Sequence, residues 1–404
     1  MKIIISIGTL GLGGAEKQAI WLANKLSINN EVTLLTYSGG PRKTDISPQV
    51  NFIEKGIVAN WLDKFVPENI IGKKSSKNSF LIIAVTSFKE LVKKYLPGVF
   101  RIGRALFVIY KTLRLVFIVK KNIETLDTQL VITFLYHDTL VTGFAALLSK
   151  NKPKLIVNRR SPEGYGDKSR SIVERLLLRI IYVKAKVCVS NSNSNLESAV
   201  KDGIKESKII IIPNYIEILE NKTYVSLEKS KIILVNIANL IWYKNQSNLL
   251  RAIASDESLR SKIHLKIIGT GPLQEELISY SRENDLDVSF LGQVQDINKI
   301  LLQSDAFINT SFFEGASNAL LEGISVGLPC VTTSVGNVLE LSIDGASLVV
   351  CDDFSPDSIR TAILFLLDDF ENISKLALEF VPKFRKIYSE EKVYDLWSTV
   401  LERL

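Results

Sequence analysis

Histidine and cysteine are scarce: there are two histidines and three cysteines in 404 residues. Cys188, Cys330 and Cys351 are odd in number and form no C-x-x-C spacing, which excludes a disulfide framework and reads as buried thiols in a reducing compartment. His137 and His264 lie too far from these cysteines and from each other to suggest a metal site, so no metal and no cofactor are expected. Long apolar runs are missing as well. A bilayer-spanning helix needs about 20 mostly apolar residues, yet Phe80–Phe88 stops at Lys89 and Leu115–Val119 is bracketed by Arg114 and Lys120. The apolar start, Ile3–Ile7, gives way to glycines and then Glu16-Lys17, so it reads as a buried first strand rather than a signal peptide. With 22 Gly and 11 Pro, the chain is neither collagen-like nor of low complexity. A cytoplasmic globular protein is expected, long enough for two domains with separate cores.

The net charge of +7 conceals a division. Residues 1–212 hold 33 Lys/Arg against 16 Asp/Glu, net +17, whereas residues 213–404 hold 17 against 27, net −10. A protein coating nucleic acid would be basic throughout, and no aromatic–basic recognition motif is present, so no nucleic-acid partner is expected.

Short β-branched runs alternate with amphipathic stretches, the signature of parallel sheets flanked by helices. Strands are predicted at Lys2–Ile7, Val32–Thr36, Leu130–Phe134, Leu155–Asn158, Val187–Ser190 and Ile209–Ile212. The pattern restarts at Ile232–Ile237 and continues at Leu265–Ile268, Val288–Leu291, Ala306–Asn309, Cys330–Thr332 and Ser347–Val350. The reading is an α/β protein of two doubly wound, Rossmann-like domains facing a central cleft. Residues 1–212 form the first domain, 213–231 a polar linker and 232–387 the second domain. A final helix, 388–404, carries Val393, Trp397, Val400 and Leu401 on one side and either caps the second domain or returns to the first. Ligands of such sheets bind at the carboxyl ends of the strands.

Four motifs occupy strand ends. Gly8-Thr-Leu-Gly11-Leu-Gly13-Gly14-Ala-Glu16 joins the first strand to the first helix, where glycines let a backbone approach a phosphate or sugar. It is not a dinucleotide fingerprint: Glu16 stands where the third glycine is needed, and Thr36-Tyr37-Ser38, not an acid, ends the second strand. The most specific motif is Ser311-Phe-Phe-Glu314-Gly315-Ala316-Ser317-Asn-Ala-Leu-Leu-Glu322. If both glutamates lie on one helix, eight residues separate them by about 80° and ~12 Å. That suits a sugar-hydroxyl contact at the helix mouth and a ribose contact deeper in, with a diphosphate at the free amides of the helix start. Lys244, in the loop Asn239-Leu-Ile-Trp-Tyr-Lys244, can reach a phosphate. Gly269-Thr-Gly271-Pro272 is a second glycine turn. His137 follows a strand on the cleft side, whereas His264 reads as structural. Asp285-Leu-Asp287 precedes its strand, at the wrong end of the sheet for a metal–diphosphate site.

Together these pieces resemble the family 4 glycosyltransferases, retaining enzymes of the B-type two-Rossmann fold that include bacterial surface-polysaccharide enzymes. The resemblance runs from Gly13-Gly14-Ala-Glu16 through Ile211-Ile-Pro213-Asn214, Ala238-Asn239-Leu240 with Lys244-Asn245, Gly269-Thr-Gly271-Pro272, Glu314-Gly…Glu322 and Gly327-Leu-Pro329 to Val335-Gly336 and Glu340. It implies that Glu314 holds the donor sugar hydroxyls, Glu322 the donor ribose and Lys244 the diphosphate. Gly13 and Gly14 would form a loop beside the reacting centre, and His137 would match a histidine near the donor sugar. Glu314, His137 and Lys244 are thus the implied catalytic set. Gly269, Gly271, Gly315, Ala316 and Ser317 complete the implied donor site with Asn239, which stands where many members carry an arginine. Arg159 or Arg160 is a candidate replacement for that charge.

The family also implies a nucleotide-diphosphate sugar donor and makes a saccharide on a polyprenyl diphosphate a plausible acceptor. Residues 55–121 carry 14 Lys/Arg and 3 Asp/Glu. Within them Val99–Ile123 reads as a helix with Arg101, Arg104, Lys111, Arg114 and Lys121 inside about 160° of the wheel. Such a helix either packs on the first sheet with solvated charges or meets an anionic membrane, or does both, which suggests a peripheral position at the inner face of the cell membrane. The alternatives are a sugar-nucleotide epimerase of the same general fold and a catalytically silent homologue.

Overall fold

A computed structural model describes all residues except 56–96, 161–171, 218–230 and 295; within helices, the side chains of 97–109, 111, 172 and 173 are also outside the description. Thirteen described strands form two parallel sheets. The first, of seven strands, takes β1 (Lys2–Ile7), β2 (Glu31–Thr36), β3 (Asn51–Glu54), β4 (Leu130–Phe134), β5 (Lys154–Arg159), β6 (Val187–Ser190) and β7 (Ile209–Ile211) in the order β3-β2-β1-β4-β5-β6-β7. The second takes β8 (Ile232–Ile237), β9 (Ile263–Ile268), β10 (Val288–Gly292), β11 (Ala306–Asn309), β12 (Cys330–Thr333) and β13 (Leu348–Cys351) in the order β10-β9-β8-β11-β12-β13. Each sheet starts at a central strand, winds outward, then returns to that strand's other side. This is the doubly wound Rossmann-like arrangement of the B-type fold.

The central strands are apolar on both faces because helices cover both. In β8 and its neighbours, Leu234, Leu265, Ile267 and Ile308 pack with Leu249, Leu250, Ile359 and Ile363 of the helices Gln246–Ala254 and Pro356–Asp368. The alternate residues Val235, Ile268 and Phe307 pack with Leu320, Leu321, Phe380 and Phe384 of the helices Asn318–Ser325 and Phe370–Tyr388. The period of two along each strand thus supplies two cores from one sheet.

The chain divides into two compact units, residues 1–157 with 173–185, and residues 158–172 with 186–404. Boundaries of the predicted strands agree to within two residues, with one omission: β3, a four-residue strand of sequence Asn-Phe-Ile-Glu, is too short and too polar to stand out. At the C-terminal end the chain breaks at Ser389, whose hydroxyl accepts from Lys392 N–H and caps the helix Glu390–Glu402. The preceding helix, Phe370–Tyr388, runs up to that cap, and Trp397 is fully buried. Among the described residues no helix is long and apolar enough to cross a membrane. The three cysteines are free and buried.

Candidate active site

A doubly wound sheet has one point where the winding reverses, and the loops leaving the two strands there diverge to open a crevice. In the second sheet that point lies between β8 and β11, from which the Lys244 and Glu314 loops depart. Lys244 closes a 3-10 turn, Trp242–Lys244, and Asn245 takes a left-handed conformation with φ 59°. Thr310, just past β11, donates to the Lys244 carbonyl (3.0 Å), and Phe312 N–H donates to Tyr243 O (2.8 Å). The two loops are therefore tied to each other by one side-chain hydroxyl bond and one main-chain bond. Between them the Lys244 ammonium and Glu314 carboxylate form an ion pair in which both side chains are largely buried. The Ser311 hydroxyl stands 2.9 Å from Glu314 Oε1.

The structure corrects one premise: Glu314 is not helical. The helix spans Asn318–Ser325, and Ser317 caps it by accepting from Leu320 N–H. Glu314 precedes this cap, and Gly315 between them is pressed against the Arg160 carbonyl and the Asn195 amide, leaving no room for a Cβ. The angle-and-rise argument for Glu314 and Glu322 therefore fails, although both remain near one helix start. Glu322 sits half-buried in the second turn. Gly315 and Ser317 are buried and Ala316 half-buried.

Gly269 and Gly271 have a packing reason for being glycine. A Cβ on Gly269 would strike the Ala238 carbonyl, and one on Gly271 the Leu240 carbonyl. Gly269 also has φ +134°, a conformation rare for other residues. These glycines let the β9 turn press against the 238–240 loop, where the exposed Asn239 accepts from Gln246 Nε2 through its carbonyl (3.1 Å). Arg159 is engaged elsewhere: it bonds Asp202 (2.7 Å) and Ser198 (3.1 Å). Arg160 bonds Asn214, and Asn214 bonds Asn318, the first residue of the helix. The buried Arg160 therefore lies beside the Gly315 loop, and burial lowers its guanidinium pKa to about 9.

In the first sheet the winding reverses between β1 and β4, which places the Gly8–Gly14 loop beside His137. Gly13 N-caps the helix Gly14–Leu26, and Glu16 in its first turn accepts from Thr9 (3.1 Å). That carboxylate already occupies the positive end of the helix, so this loop suits a neutral sugar better than a phosphate. Leu135, leaving β4, has φ 65° and ψ 169°, a region that is nearly glycine-only and costs on the order of 1–3 kcal/mol. Strain of this kind collects at functional sites, as do π-helical turns, and Thr139–Gly143 is one. The His137 ring stands edge-on to Tyr37, centroids 5.7 Å apart. The residue is exposed at its surface, and desolvation of the imidazole lowers its pKa against the opposing pull of Glu174.

Residue-by-residue reading passed over the carboxyl next to it. Asp138 is 1% exposed and accepts from Gly8 N–H and from the Ser6 hydroxyl (3.3 Å). Ser6 meets Thr142 (2.8 Å), and Thr142 meets the Tyr37 hydroxyl (2.6 Å). Burial pushes the Asp138 carboxyl up to about 8. The available signal was an aspartate among apolar residues, directly after His137.

His264 is structural, as expected: its Nδ1 lies 2.8 Å from Asp287 and its Nε2 3.3 Å from Ser289. Burial pushes the Asp287 carboxyl up, but bonds from Lys231 and His264 outweigh it and hold the pKa below the ordinary value. Among the described residues no group of three or more His, Cys, Asp and Glu side chains is arranged to hold a metal.

The predicted basic helix spans Pro97–Thr125. Leu115, Val116, Val119 and Ile123 are buried, whereas Tyr110, Leu113, Arg114, Phe117 and Lys121 are exposed. Packing and solvent exposure therefore share one helix. The side chains of Arg101, Arg104 and Lys111 lie outside the described residues.

Two Rossmann-like sheets, with charged and glycine loops at both reversal points, form the two-domain B-type fold of glycosyltransferases. The family described as Glycosyl transferases group 1 matches residues 218–380, and the chain belongs to this family. It is 32% identical over 342 residues to N-acetylgalactosamine-N,N'-diacetylbacillosaminyl-diphospho-undecaprenol 4-alpha-N-acetylgalactosaminyltransferase of Campylobacter jejuni, covering 82% of this chain and 80% of that one. It is 25% identical to GalNAc-alpha-(1->4)-GalNAc-alpha-(1->3)-diNAcBac-PP-undecaprenol alpha-1,4-N-acetyl-D-galactosaminyltransferase of the same organism, covering 87% and 86%. Among solved structures, Anabaena HepE in complex with UDP and glucose aligns over the whole of both chains with a TM-score of 0.73 at 16% identity.

Proposed function

We propose that this glycosyltransferase moves a sugar from a nucleoside diphosphate to a saccharide carried on a polyprenyl diphosphate, in the synthesis of a cell-surface glycan. The observation that carries the donor half is the Lys244–Glu314 pair at the reversal point of the second sheet, next to a helix start. Lys244 and the free amides of that helix are suited to a diphosphate, while Glu314 and Glu322 are suited to sugar and ribose hydroxyls. Gly13, Gly14 and His137 act at the reacting end of the sugar. The two Campylobacter relatives carry undecaprenol-linked saccharides in their names, and the Anabaena structure holds UDP; both support this assignment of acceptor and donor classes.

Breaking a sugar–diphosphate bond builds positive charge on the ring and negative charge on the leaving oxygen. Lys244 and main-chain amides aimed at that oxygen stabilise it where the charge develops. In the retaining mechanism of family 4, the leaving phosphate takes the acceptor's proton and the sugar bonds from the same face. These counter-charges let the reaction proceed without a metal.

Glu322→Ala tests the donor site. Calorimetric titration with a nucleoside diphosphate should show binding lost or weakened more than tenfold at an unchanged melting temperature; unchanged affinity would contradict the assignment.

The helix Pro97–Thr125 supports a peripheral position at the cytoplasmic membrane face. Phe117 and Tyr110 are about 60% exposed next to Arg114 and Lys121, an amphipathic surface suited to anionic headgroups. Each basic residue near such a surface contributes about 1 kcal/mol and is screened by salt. Flotation with anionic liposomes should recover the protein at low salt and lose it at high salt. A protein that remains wholly unbound at low salt would refute the membrane assignment.

A further inference from the structure

We propose that Asp138 is a positioning residue for the transfer: from beneath the first sheet's reversal point it sets the course of the Gly8–Gly14 loop and the place of the His137 imidazole. This inference rests on the transferase reading above. Asp138 lies at the end of the three-residue helix Tyr136–Asp138, one residue after His137, and is almost fully buried. It receives the Gly8 N–H at the point where β1 becomes the glycine loop, while the Gly8 carbonyl accepts from Tyr37 N–H, Ser38 N–H (both 3.1 Å) and Thr36 Oγ1 (3.0 Å). Both polar groups of Gly8 are thus used, and the loop leaves the strand in a direction set by Asp138 on one side and the end of β2 on the other. A hydroxyl relay from Ser6 through Thr142 to Tyr37 closes the circuit, and the Tyr37 ring meets His137. The strained Leu135 and the π-turn at Thr139–Gly143 flank this short segment. Strained backbone is retained only where surrounding bonds over-determine it, and Asp138 supplies two of those bonds.

A neutral carboxyl suits the pocket. Burial raises the Asp138 pKa, and Glu16 across the loop raises it further; Tyr37, also buried, and His137 are the other titratable groups around it. The protonated acid still accepts from Gly8 N–H and from the Ser6 hydroxyl, as an asparagine amide oxygen would. Ionisation puts a charge beside Glu16 in a dry pocket, so the loop loosens as pH rises through about 8.

Asp138→Ala and Asp138→Asn separate the possibilities. With a nucleotide sugar and a saccharide acceptor at pH 7, Asp138→Ala should lose at least tenfold in kcat while nucleoside diphosphate affinity, held by the second sheet, stays within threefold. Asp138→Asn should restore most of that kcat and abolish the wild-type fall in rate above pH 8. Glu16→Gln, which removes a charge that raises the Asp138 pKa, should move that fall to lower pH. Hydrogen exchange gives a reading independent of turnover: amides of Gly8–Gly14 should exchange faster in Asp138→Ala and at the wild-type rate in Asp138→Asn. Wild-type kcat in Asp138→Ala, an alkaline fall retained by Asp138→Asn, or unchanged loop exchange would each overturn the proposal. Absence of transfer by the wild-type protein would count against the transferase reading instead, with loop exchange still deciding on Asp138.

Discussion

Lys244→Ala lowers kcat/KM for the nucleotide sugar by about 10²- to 10³-fold, the loss typical of removing one preorganised charge from a developing anion. Two effects combine. On the proposed assignment the leaving diphosphate loses its cation, and Glu314 is left as a largely buried carboxylate without its ammonium partner. Binding of the free nucleoside diphosphate therefore weakens as well as turnover. Glu314→Ala separates the two roles. It removes a sugar contact and releases Lys244, so transfer falls steeply while nucleoside diphosphate binds as tightly as before or more tightly. Residues paired this closely are non-additive, and the double variant should be less impaired than the product of the single losses. Calorimetry and initial rates on the three variants check this. Lys244→Ala binding the diphosphate at wild-type affinity would remove the lysine from the site.

Gly315→Ala has the second large effect, and it is steric. The added methyl overlaps the Arg160 carbonyl and the Asn195 amide, while the Gly315 carbonyl already faces Gly336, where a Cβ would come within 2.8 Å of it. Neither side can yield cheaply, because Arg160 is bonded to Asn214, Asn214 to Asn318, and Asn195 to Asn191 (2.6 Å). Overpacking of this order costs about 1–3 kcal/mol, or roughly 2–4 °C of melting temperature per kcal/mol for a unit of this size. The strain falls between Glu314 and the helix at Asn318, so donor affinity should drop at least tenfold along with stability. Thermal unfolding and calorimetry on one preparation read both. A variant with wild-type melting and wild-type affinity would show that Gly315 is not wedged against these groups.

The fold was legible because both sheets are parallel and buried on two faces. Runs such as Ile3–Ile7 and Ile232–Ile237 stand out, whereas the edge strand Asn51–Glu54, half polar and four residues long, does not. The charged members of the second sheet's site were legible as residues but not as geometry. Glu314 lies before the Ser317 cap and Glu322 after it, and the packing of Gly315 between them against Arg160, 155 positions earlier in the chain, is a long-range contact. Such a contact leaves no local trace. Asp138 was hidden for the same reason: its partners Ser6 and Gly8 come from the end of β1, 130 or more positions earlier in the chain, and neither belongs to a recognisable motif with it. The charge division remains informative, since the Lys244–Glu314 site lies in the acidic half and the partly exposed basic helix in the other.

The central claim is sugar transfer from a nucleoside diphosphate to a saccharide, and following both products tests it most directly. Wild-type protein is incubated with a panel of nucleotide sugars, with and without undecaprenyl-diphosphate-linked saccharides, and analysed by mass spectrometry. Nucleotide release that requires the saccharide, matched by an acceptor heavier by one sugar residue, is the predicted result. Equal nucleotide release with no saccharide present, or an altered sugar nucleotide with no acceptor gain, would contradict it and point to the epimerase alternative.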